Sequence, residues 1–460
     1  MPECRHSNYY ATVSAISIAA SDPRSSADGA RAEKSAGAAV SAGGPLAGYR
    51  VLELGSTVAG PFCGRLLADF GATVIKVEPP EGDPLRSMGK RFAGKSLYAS
   101  SIFRNKSLIA LDLRTPDGQQ IVRELAARSD VVVENFRPGG LEKWGLGYDA
   151  LSAVNPGLIM VRISGFGQSG PYSQRAGYGV IGEAVSGIRH VTGDPDRPPT
   201  RVAVSMTDYI TGLYSAFGAV MALLARGKSG RGQCIDSALY ECAFSFMEPW
   251  IPAYDKLGFV ATRTGSRLPE STPNNLYPTA DGEFIHITAM ADPVFRRLAT
   301  AMGRSDLDSD RRFSTAGARS ENHGELDDLI AGWTATRGLT ELERTLETHN
   351  VPASRIFTMA DIFRDPHYRA RRSLINAPDD DLGSIAMAAV VPRLSATPGE
   401  VVHAGHRLGQ DTREVLATLL RYSDAQIAAL EARRIIACDR GEDTDRRSTA
   451  KAATVEAKSA

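Results

Sequence analysis

The sequence predicts an α/β protein with a parallel sheet and helices on both of its faces. Short runs rich in Val, Ile and Leu recur along the first third of the chain; they are YRVLELG (49–55), TVIKVEPP (73–80), SLIALDL (107–113), DVVVENF (130–136) and LIMVRIS (158–164). Between them lie helix-like segments such as GPFCGRLLADFG (60–71) and DGQQIVRELAARS (117–129). Buried strands that alternate with helices of this length favour parallel pairing.

The pattern changes in the second half of the chain. Residues 209–250 are predicted to be helical, and SRLPESTPNNLYP (266–278) is rich in Pro and Asn, which is typical of a loop. A second α+β segment follows, with EFIHITA (283–289) as a strand and DPVFRRLATAM (292–302) as a helix. We find no internal repeat.

Both ends of the chain have compositions typical of disorder. Residues 1–46 are rich in Ala, Ser and Gly and hold few large apolar side chains, so they cannot form a core. This segment has no continuous apolar stretch and contains acidic residues, which argues against a targeting peptide. Residues 439–460 are predicted to be a second disordered tail.

The overall composition excludes several classes of protein. The 460 residues carry 53 basic and 53 acidic side chains, so no net charge favours nucleic acid as a partner. No apolar run reaches the length of about 20 residues that a membrane span needs, because the longest is interrupted by Ser215, Gly218 and Arg226. Five scattered cysteines without a C-x-x-C pair indicate a reducing, cytoplasmic setting and no structural metal.

Asp208 lies where an acidic residue needs an explanation. It stands at the start of MTDYITGLYSAFGAVMALL (206–224), which is predicted to be a long apolar helix. Ser205 and Asp208 form an S-x-x-D pattern, which predicts a capping box with Ser205 as the N-cap. An acid there also suits the positive end of the helix dipole. A functional carboxylate is the alternative, and the local sequence leaves both open.

Other stretches are candidate sites of weaker specificity. GSTVAGP (55–61) joins a strand to a helix N-terminus, where anionic ligands bind in open sheets, although a plain tight turn is the alternative. GFGQSG (165–170) matches the dinucleotide pattern G-x-G-x-x-G, but Pro171 prevents a helix from starting directly behind it. A dinucleotide-dependent oxidoreductase therefore rests on this motif alone. GRGQCIDSALYE (230–241) is interpreted as a strand-to-helix segment, and its Cys234, with no obvious base nearby, is predicted to be a buried structural thiol.

A basic segment spans residues 86–114. It holds seven basic residues against one acid, Asp112. A solvated face is the common meaning of such a run, but in a neutral protein the local excess also suits a polyphosphate ligand.

Together these pieces resemble the class III CoA-transferases, a family that also includes the 2-methylacyl-CoA racemases. The resemblance runs in order over roughly residues 46–425. The matching stretches are LAGYRVLELGSTVAGPFCGRLLADFGATVIKVEPPEGDPLR (46–86), NKSLIALDLRTPDG (105–118), DVVVENFRPGGLEKWGLGYDAL (130–151), NPGLIMVRISGFGQSGPYSQRAGYGVIGEAVSG (155–187), MTDYITGLYSAFGAVMALLARGKSGRGQCIDSAL (206–239), VPASRI (351–356) and RDPHYRARR (364–372).

The resemblance implies a Rossmann-like large domain built from both chain ends, with a smaller α+β domain inserted between them. It also implies a homodimer whose two subunits interlock as linked rings. On this basis we expect a large CoA-binding domain over residues 47–235, linker helices over 236–260 and a small domain over 261–345. Residues 346–438 would return to the large domain and complete it.

The resemblance further implies a mechanism. An aspartate at the start of the central helix is the nucleophile of this family, and it falls on Asp208. Its carboxylate would attack an acyl-CoA thioester and give an aspartyl mixed anhydride and free CoA thiolate. Attack on that anhydride by an acceptor carboxylate would then allow the CoA to be handed across. CoA or acyl-CoA is thus a substrate, together with a small carboxylic acid, and no tightly bound cofactor is expected.

Positions that match the family's CoA contacts extend the predicted site. The pantetheine would lie on the backbone of Val58 and Ala59, the nucleotide end would meet Leu111, Arg114, Asn135, Phe136, Arg137 and, at a phosphate, Lys143, and the reacting thioester would lie near Ala176, Gly177, Tyr178 and Gly179.

Two departures bear on the activity. Some transferases cover the anhydride with a run of glycines, whereas the region around Gly265 has only one. Racemases of the family pair the aspartate with a histidine from a G-H-D segment, where this chain has Tyr178 between two glycines. A two-base proton exchange needs a base on each face of the α-carbon. We therefore expect a CoA-transferase, with the racemase as the alternative, and MTDYITGLYSA (206–216) is most similar to members that use succinyl-type donors and dicarboxylate acceptors.

Overall fold

The computed structural model describes residues 43–439. The strands of this region are β1 (Arg50–Glu53), β2 (Thr73–Glu78), β3 (Arg91–Phe92), β4 (Lys95–Ser96), β5 (Lys106–Leu111), β6 (Val131–Glu134), β7 (Ile159–Ser164), β8 (Cys234–Ala238), β9 (Asn274–Pro278), β10 (Phe284–Thr288), β11 (Ala353–Arg355), β12 (Leu374–Asp379), β13 (Gly383–Ala388) and β14 (Ile436–Ala437).

Its α-helices are α1 (Ala59–Asp69), α2 (Leu97–Ile102), α3 (Pro116–Ala126), α4 (Tyr148–Val154), α5 (Gly179–Val185), α6 (Ile188–Val191), α7 (Met206–Ser229), α8 (Leu239–Phe244), α9 (Trp250–Leu257), α10 (Asp292–Ala301), α11 (Ala316–Glu321), α12 (His323–Thr334), α13 (Leu339–Thr348), α14 (Met359–Arg364), α15 (Pro366–Ala370), α16 (Thr412–Thr418) and α17 (Asp424–Ala432).

A seven-stranded sheet in the order β14-β5-β2-β1-β6-β7-β8 forms the centre of the fold. All neighbouring strands are parallel except the two-residue β14, which is antiparallel to β5. The predicted α/β class with a parallel sheet is therefore confirmed. The predicted strands are all present, and their boundaries agree within two residues.

The helical prediction for residues 209–250 is wrong over one segment. Residues 234–238 form β8, which pairs with β7 at the edge of the sheet. The sequence CIDSA contains one large apolar side chain, Ile235, so its strand signal is weak. The domain boundary expected at residue 235 consequently falls inside a strand.

Both faces of the sheet are covered, as the alternation along β1 illustrates. Val51 points to a cluster that includes α1 and α7, and Leu52 points to the opposite cluster, which includes α3, α16 and α17. Strands buried on both faces read as nearly continuous apolar runs, which is why they are recognisable in the sequence.

A close approach between α1 and α7 positions the start of α7. A Cβ atom at Gly212 would lie 2.8 Å from the carbonyl oxygen of Ala59, the first residue of α1. Only a glycine allows this separation of the two backbones. Asp208 lies four residues earlier on α7, so the contact holds it above the first βα turn.

A second cluster of elements follows α9 along the chain. Strands β11, β10 and β9 form an antiparallel sheet, and α10, α12 and α13 pack with it around a separate apolar core. The chain then forms the β12–β13 hairpin and returns to the central sheet through α16, α17 and β14. The domain boundaries and the interlocked dimer stay predictions.

The chain is ordered slightly beyond the limits predicted for the tails. Residues 1–42 and 440–460 lie outside the described residues, so the disorder expected there is untested. Leu46, however, belongs to the buried core and donates its backbone N–H to Phe70, and Asp439 pairs with Arg407. The segments expected to be disordered therefore include ordered residues at positions 43–46 and 439.

One helix among the described residues is long and apolar enough to cross a membrane by length and composition, and this is α7. The interruptions at Ser215, Gly218 and Arg226 had predicted that no segment would meet that criterion. The small residues of α7, among them Ala216 and Ala219, are buried against the central sheet. A core helix of a soluble fold meets the same criterion.

Candidate active site

Asp208 is the first site residue to consider, because the sequence left its role open. Ser205 is the N-cap of α7, but its side chain accepts no capping hydrogen bond. The predicted capping box is therefore not formed. The Asp208 carboxylate is partly buried and has no ion-pair partner within residues 43–439. Burial raises its pKa to about 6, against the smaller opposing effects of its own backbone N–H and of Arg201.

The carboxylate lines a cavity of about 310 Å³. The walls come from the ends of β1, β6 and β7, from the loop before α5 and from α7; they are formed by Ser56, Thr57, Val58, Ala59, Pro84, Asn135, Phe136, Arg137, Pro138, Ile163, Ser164, Gly165, Ser173, Arg175, Ala176, Gly177, Tyr178, Asp208 and Leu239. Ligands of open α/β sheets bind at the carboxyl ends of the strands. The volume lies at the lower end of the range found for small-molecule sites.

Asn135 fixes the first βα turn at the mouth of this cavity. Its Oδ1 accepts from the backbone N–H of Ser56 over 2.8 Å, and its Nδ2 donates to the carbonyl oxygen of Ser56 over 2.9 Å. Gly55 and Gly60 pack closely beneath it, since a Cβ at Gly55 would lie 3.1 Å from the Gly60 Cα. The side chain of Asn135 therefore holds the turn, and Val58 and Ala59 line the cavity at the start of α1.

Gly179 contacts the carboxylate directly. A Cβ atom placed at this residue would lie 2.0 Å from Oδ2 of Asp208. The neighbouring Tyr178 lines the cavity with a side chain that is 72% exposed. The first turn of α5 therefore contacts the Asp208 carboxylate through the backbone of Gly179, and the carboxylate also faces the cavity.

Three residues predicted to bind the nucleotide end of CoA lie outside the Asp208 cavity. Leu111 is buried in the core of the central sheet. Arg114 is exposed and pairs with Asp112 at 2.7 Å and with Glu81 at 3.1 Å. Lys143 is exposed in a short 3₁₀ turn. The structure brings the other predicted residues together around Asp208 but not these three.

The local charge excess of residues 86–114 is largely neutralised inside the protein. Carboxylates pair with five of its seven cations; the pairs are Arg86–Glu78, Lys95–Asp379, Arg104–Asp69, Lys106–Glu53 and Arg114–Asp112. Lys106 and Arg104 are fully buried. The segment is therefore neither a solvated face nor a free cationic surface. Most of the carboxylates that pair with it are distant in sequence, so a short stretch of sequence does not show the pairing.

Two further predictions can be compared with the geometry. No helix begins behind GFGQSG, since the next one, α5, starts at Gly179, as Pro171 indicated. Cys234, expected to be buried, is exposed at the sheet edge. Among residues 43–439 no three His, Cys, Asp or Glu side chains gather in a way that could hold a metal ion.

Arg175 is the charged cavity residue that sequence reasoning missed. It lines the cavity together with Asp208. It is also the one charged side chain between residues 165 and 182. That isolation was a usable signal, because a single charge in a glycine-rich loop has no local structural partner.

The pH dependence of activity follows from the burial of Asp208. The family resemblance implies that Asp208 is the nucleophile, a role that requires the ionised carboxylate, and burial raises its pKa from 3.8 to about 6. We expect kcat/KM to fall as the pH decreases through about 6, with the slope of one ionisation. Initial rates between about pH 4.5 and 9 at subsaturating acyl-CoA would measure this. A profile that stays flat down to about pH 4.5 would contradict it.

The chain is similar to several known proteins. A model of CoA-transferase family III matches residues 46–412. The chain is 52% identical over 394 residues to succinyl-CoA–D-citramalate CoA-transferase of Chloroflexus aurantiacus. The matched region covers 85% of this chain and 98% of that protein. It is 43% identical over 398 residues to the β subunit of succinyl-CoA–L-malate CoA-transferase of the same organism, with 85% and 98% covered. A crystal structure of a CAIB/BAIF family protein from Brucella suis matches with a TM-score of 0.73 at 37% identity, covering 82% and 100%.

Proposed function

The chain belongs to CoA-transferase family III, and we propose that it moves CoA from succinyl-CoA to a dicarboxylate through an anhydride on Asp208. Both relatives described above are named for a succinyl-CoA donor, and their acceptors, citramalate and malate, carry two carboxylates. The observation that carries the mechanism is the partly buried Asp208 carboxylate, which has no ion-pair partner within residues 43–439 and opens onto a cavity at the strand ends.

The proposed reaction passes through two successive anhydrides on the Asp208 carboxylate, the first with the succinyl group and the second with the acceptor. An Asp208 oxygen attacks the thioester carbonyl carbon; the C–S bond breaks, and CoA leaves as thiolate. The acceptor carboxylate then attacks the aspartyl carbonyl carbon and displaces succinate, so that a second anhydride links Asp208 to the acceptor. CoA thiolate attacks the acceptor's carbonyl carbon, which forms the new thioester and restores the Asp208 carboxylate.

The cavity walls support an assignment of roles around Asp208. The backbone at Val58 and Ala59 lies at the N-terminus of α1, where N–H groups can stabilise the developing oxyanion or the pantetheine amides. Phe136 and Arg137 follow β6 and line the adjoining wall. We assign these four residues to CoA. Leu111, Arg114 and Lys143 stay as proposed contacts of its nucleotide end, beyond the cavity.

The assembly and setting are further parts of the proposal. Exposed large apolar side chains on and beside α7, α8 and α9, among them Leu213, Phe217, Phe246 and Leu257, supply a surface for a second subunit. This supports an interlocked homodimer. Cys63, Cys234 and Cys242 form no disulfide within residues 43–439, which supports a reducing, cytoplasmic setting.

A screen of substrate pairs tests the function. Purified enzyme would be incubated with succinyl-CoA, acetyl-CoA or butyryl-CoA and, in turn, with malate, citramalate, glutarate or a monocarboxylate. Mass spectrometry would identify each new acyl-CoA. Transfer from succinyl-CoA to a dicarboxylate is the expected result. Absence of transfer between any pair would refute the activity, whereas transfer only to monocarboxylates would refute the proposed substrate class.

We also expect no 2-methylacyl-CoA racemase activity. Tyr178 stands where a second base would be required, and its phenol is a poor base at neutral pH. Incubating a 2-methylacyl-CoA with enzyme in deuterated water would leave the α-carbon unlabelled. Enzyme-dependent deuterium at that carbon, absent with heat-denatured protein, would overturn the prediction.

A further inference from the structure

The loop from Gly165 to Gly177 begins and ends at glycines whose backbones contact each other. A Cβ at Gly177 would lie 2.6 Å from the Gly165 Cα, so the two backbones meet where the loop leaves and re-enters the site. Gly167 and Gly170 have φ angles of +84° and +85°, which glycine adopts without strain. The glycines of the G-x-G-x-x-G pattern thus serve the close approach at Gly165 and the positive φ angles at Gly167 and Gly170.

The guanidinium of Arg175 stacks on an aromatic ring of the same loop. Its backbone N–H donates to the carbonyl oxygen of Tyr172 over 2.8 Å, which turns the chain back on itself. The guanidinium carbon lies 3.5 Å from the centre of the Tyr172 ring. That ring packs edge-on against the buried Phe166, with centroids 5.8 Å apart. A stacked guanidinium keeps its N–H donors free in the plane of the group, where a carboxylate can bind in bidentate fashion.

The charges around the cavity leave Arg175 available to a ligand. Arg137 and Arg175 are the cationic side chains that line it. Within residues 43–439, neither forms an ion pair or a side-chain hydrogen bond. Arg104 and Lys106, by contrast, are buried in complete ion pairs. A dicarboxylate beside the Asp208 carboxylate suffers like-charge repulsion unless a cation offsets it.

The two arginines lie on different walls of the cavity. Arg137 follows β6 together with Asn135 and Phe136, on the side assigned to CoA, where Asn135 holds the first βα turn. Arg175 lies in the loop that leads to Gly179, whose backbone contacts the Asp208 carboxylate. We propose that Arg175 binds the distal carboxylate of the succinyl group and of the acceptor, and so selects dicarboxylates over monocarboxylates. This inference rests on the proposed function.

The test compares acceptors that differ in one carboxylate. Steady-state kinetics of wild type, Arg175→Ala and Arg175→Lys would use acetyl-CoA as the donor, because it has no distal carboxylate, and would compare succinate with butyrate and glutarate with valerate as acceptors. We expect Arg175→Ala to lower kcat/KM for the dicarboxylates by about 10- to 100-fold, mainly through KM, because it loses hydrogen bonds to a charged group. The values for monocarboxylates would stay within about twofold, and Lys would recover part of the loss.

Binding gives a readout that does not depend on turnover. Isothermal titration of succinate should show a Kd at least about tenfold weaker for Arg175→Ala than for wild type. Arg413→Ala is the matched control, because Arg413 is an exposed arginine of α16 that pairs with Asp424 of α17. Its kinetics, succinate affinity and melting temperature should match those of wild type.

The outcomes separate this inference from the proposed function. A wild-type enzyme that transfers CoA to no carboxylic acid refutes the function. A wild-type enzyme that transfers CoA, beside a folded Arg175→Ala variant that keeps its dicarboxylate preference and succinate affinity, refutes the role of Arg175 alone. Loss of the preference in Arg201→Ala instead would also refute it, because Arg201 is the cation whose charge acts on Asp208 from outside the cavity wall.

Discussion

Replacing Asp208 with Asn is expected to lower CoA transfer by several orders of magnitude while the fold remains intact. The amide is a poor nucleophile and cannot form the anhydride that we propose for both exchanges. The measurement is the rate of acyl-CoA formation from succinyl-CoA and the best dicarboxylate acceptor. Asp149→Asn is the matched control, because Asp149 is an exposed carboxylate in the first turn of α4. It should transfer at the wild-type rate.

Hydroxylamine provides a second measurement of the same intermediate. Added during turnover, it should attack the aspartyl carbonyl carbon and leave a hydroxamate on Asp208. The label would be a mass shift on the tryptic peptide from Val202 to Arg226, and it should require acyl-CoA. A label on another carboxylate, or an Asp208→Asn enzyme with ordinary transfer rates, would disprove the mechanism.

The same substitution separates catalysis from capping. If Asp208 served only to stabilise the first turn of α7, Asn would cost about 1 kcal/mol or less and transfer would survive. Its carboxylate instead has a folded-state pKa of about 6, above the ordinary value of 3.8. Its contribution to stability is therefore greatest below the lower value and is lost as the pH rises through about 6. The amide introduced by Asp208→Asn carries no charge, so we expect the variant to melt at or above the wild-type temperature at pH 8 and near it at pH 4.

The sequence predicted the central strands of the sheet correctly, because both of their faces are buried. Strands β1, β2, β5, β6 and β7 lie in the core of a two-faced sheet, so each carries a group of apolar residues, interrupted by buried polar side chains such as Lys76 and Lys106. The edge strands β8 and β14 each have one neighbour and weak apolar patterns. Pairing with the sheet, rather than local preference, determines their conformation.

The position of the backbone turn in the site could be predicted from the sequence, but the pairing of the nearby charged side chains could not. The turn at Val58 and Ala59 follows a strand, and its position on the sheet edge could be deduced from that. The basic segment could not be interpreted locally, because Arg104 pairs with Asp69 and Lys95 with Asp379. Long-range ion pairs of this kind leave no trace in a short window of sequence.

Replacing Gly179 with Ala is expected to reduce transfer by at least about 100-fold with little change in stability. The added Cβ would lie 2.0 Å from Oδ2 of Asp208, whereas ordinary contacts begin near 3.4 Å. The carboxylate must therefore move by more than an ångström, a displacement that is enough to misalign a nucleophile. Because that carboxylate is the free end of a side chain, it can rotate away, and Ala is a better helix former than Gly. Activity should thus be lost while folding is kept.

A second glycine-to-alanine change shows that the effect depends on this contact. Gly227 is exposed on α7, and a Cβ there would meet no atom within 4 Å. Gly227→Ala should keep full activity and stabilise the protein by roughly 0.5–1 kcal/mol, because it removes backbone freedom from the unfolded chain. Thermal melts and transfer rates of both variants provide the comparison. If Gly179→Ala were as active as Gly227→Ala, the backbone of α5 would not set the position of the Asp208 carboxylate, and the room left beside that carboxylate would have no bearing on catalysis.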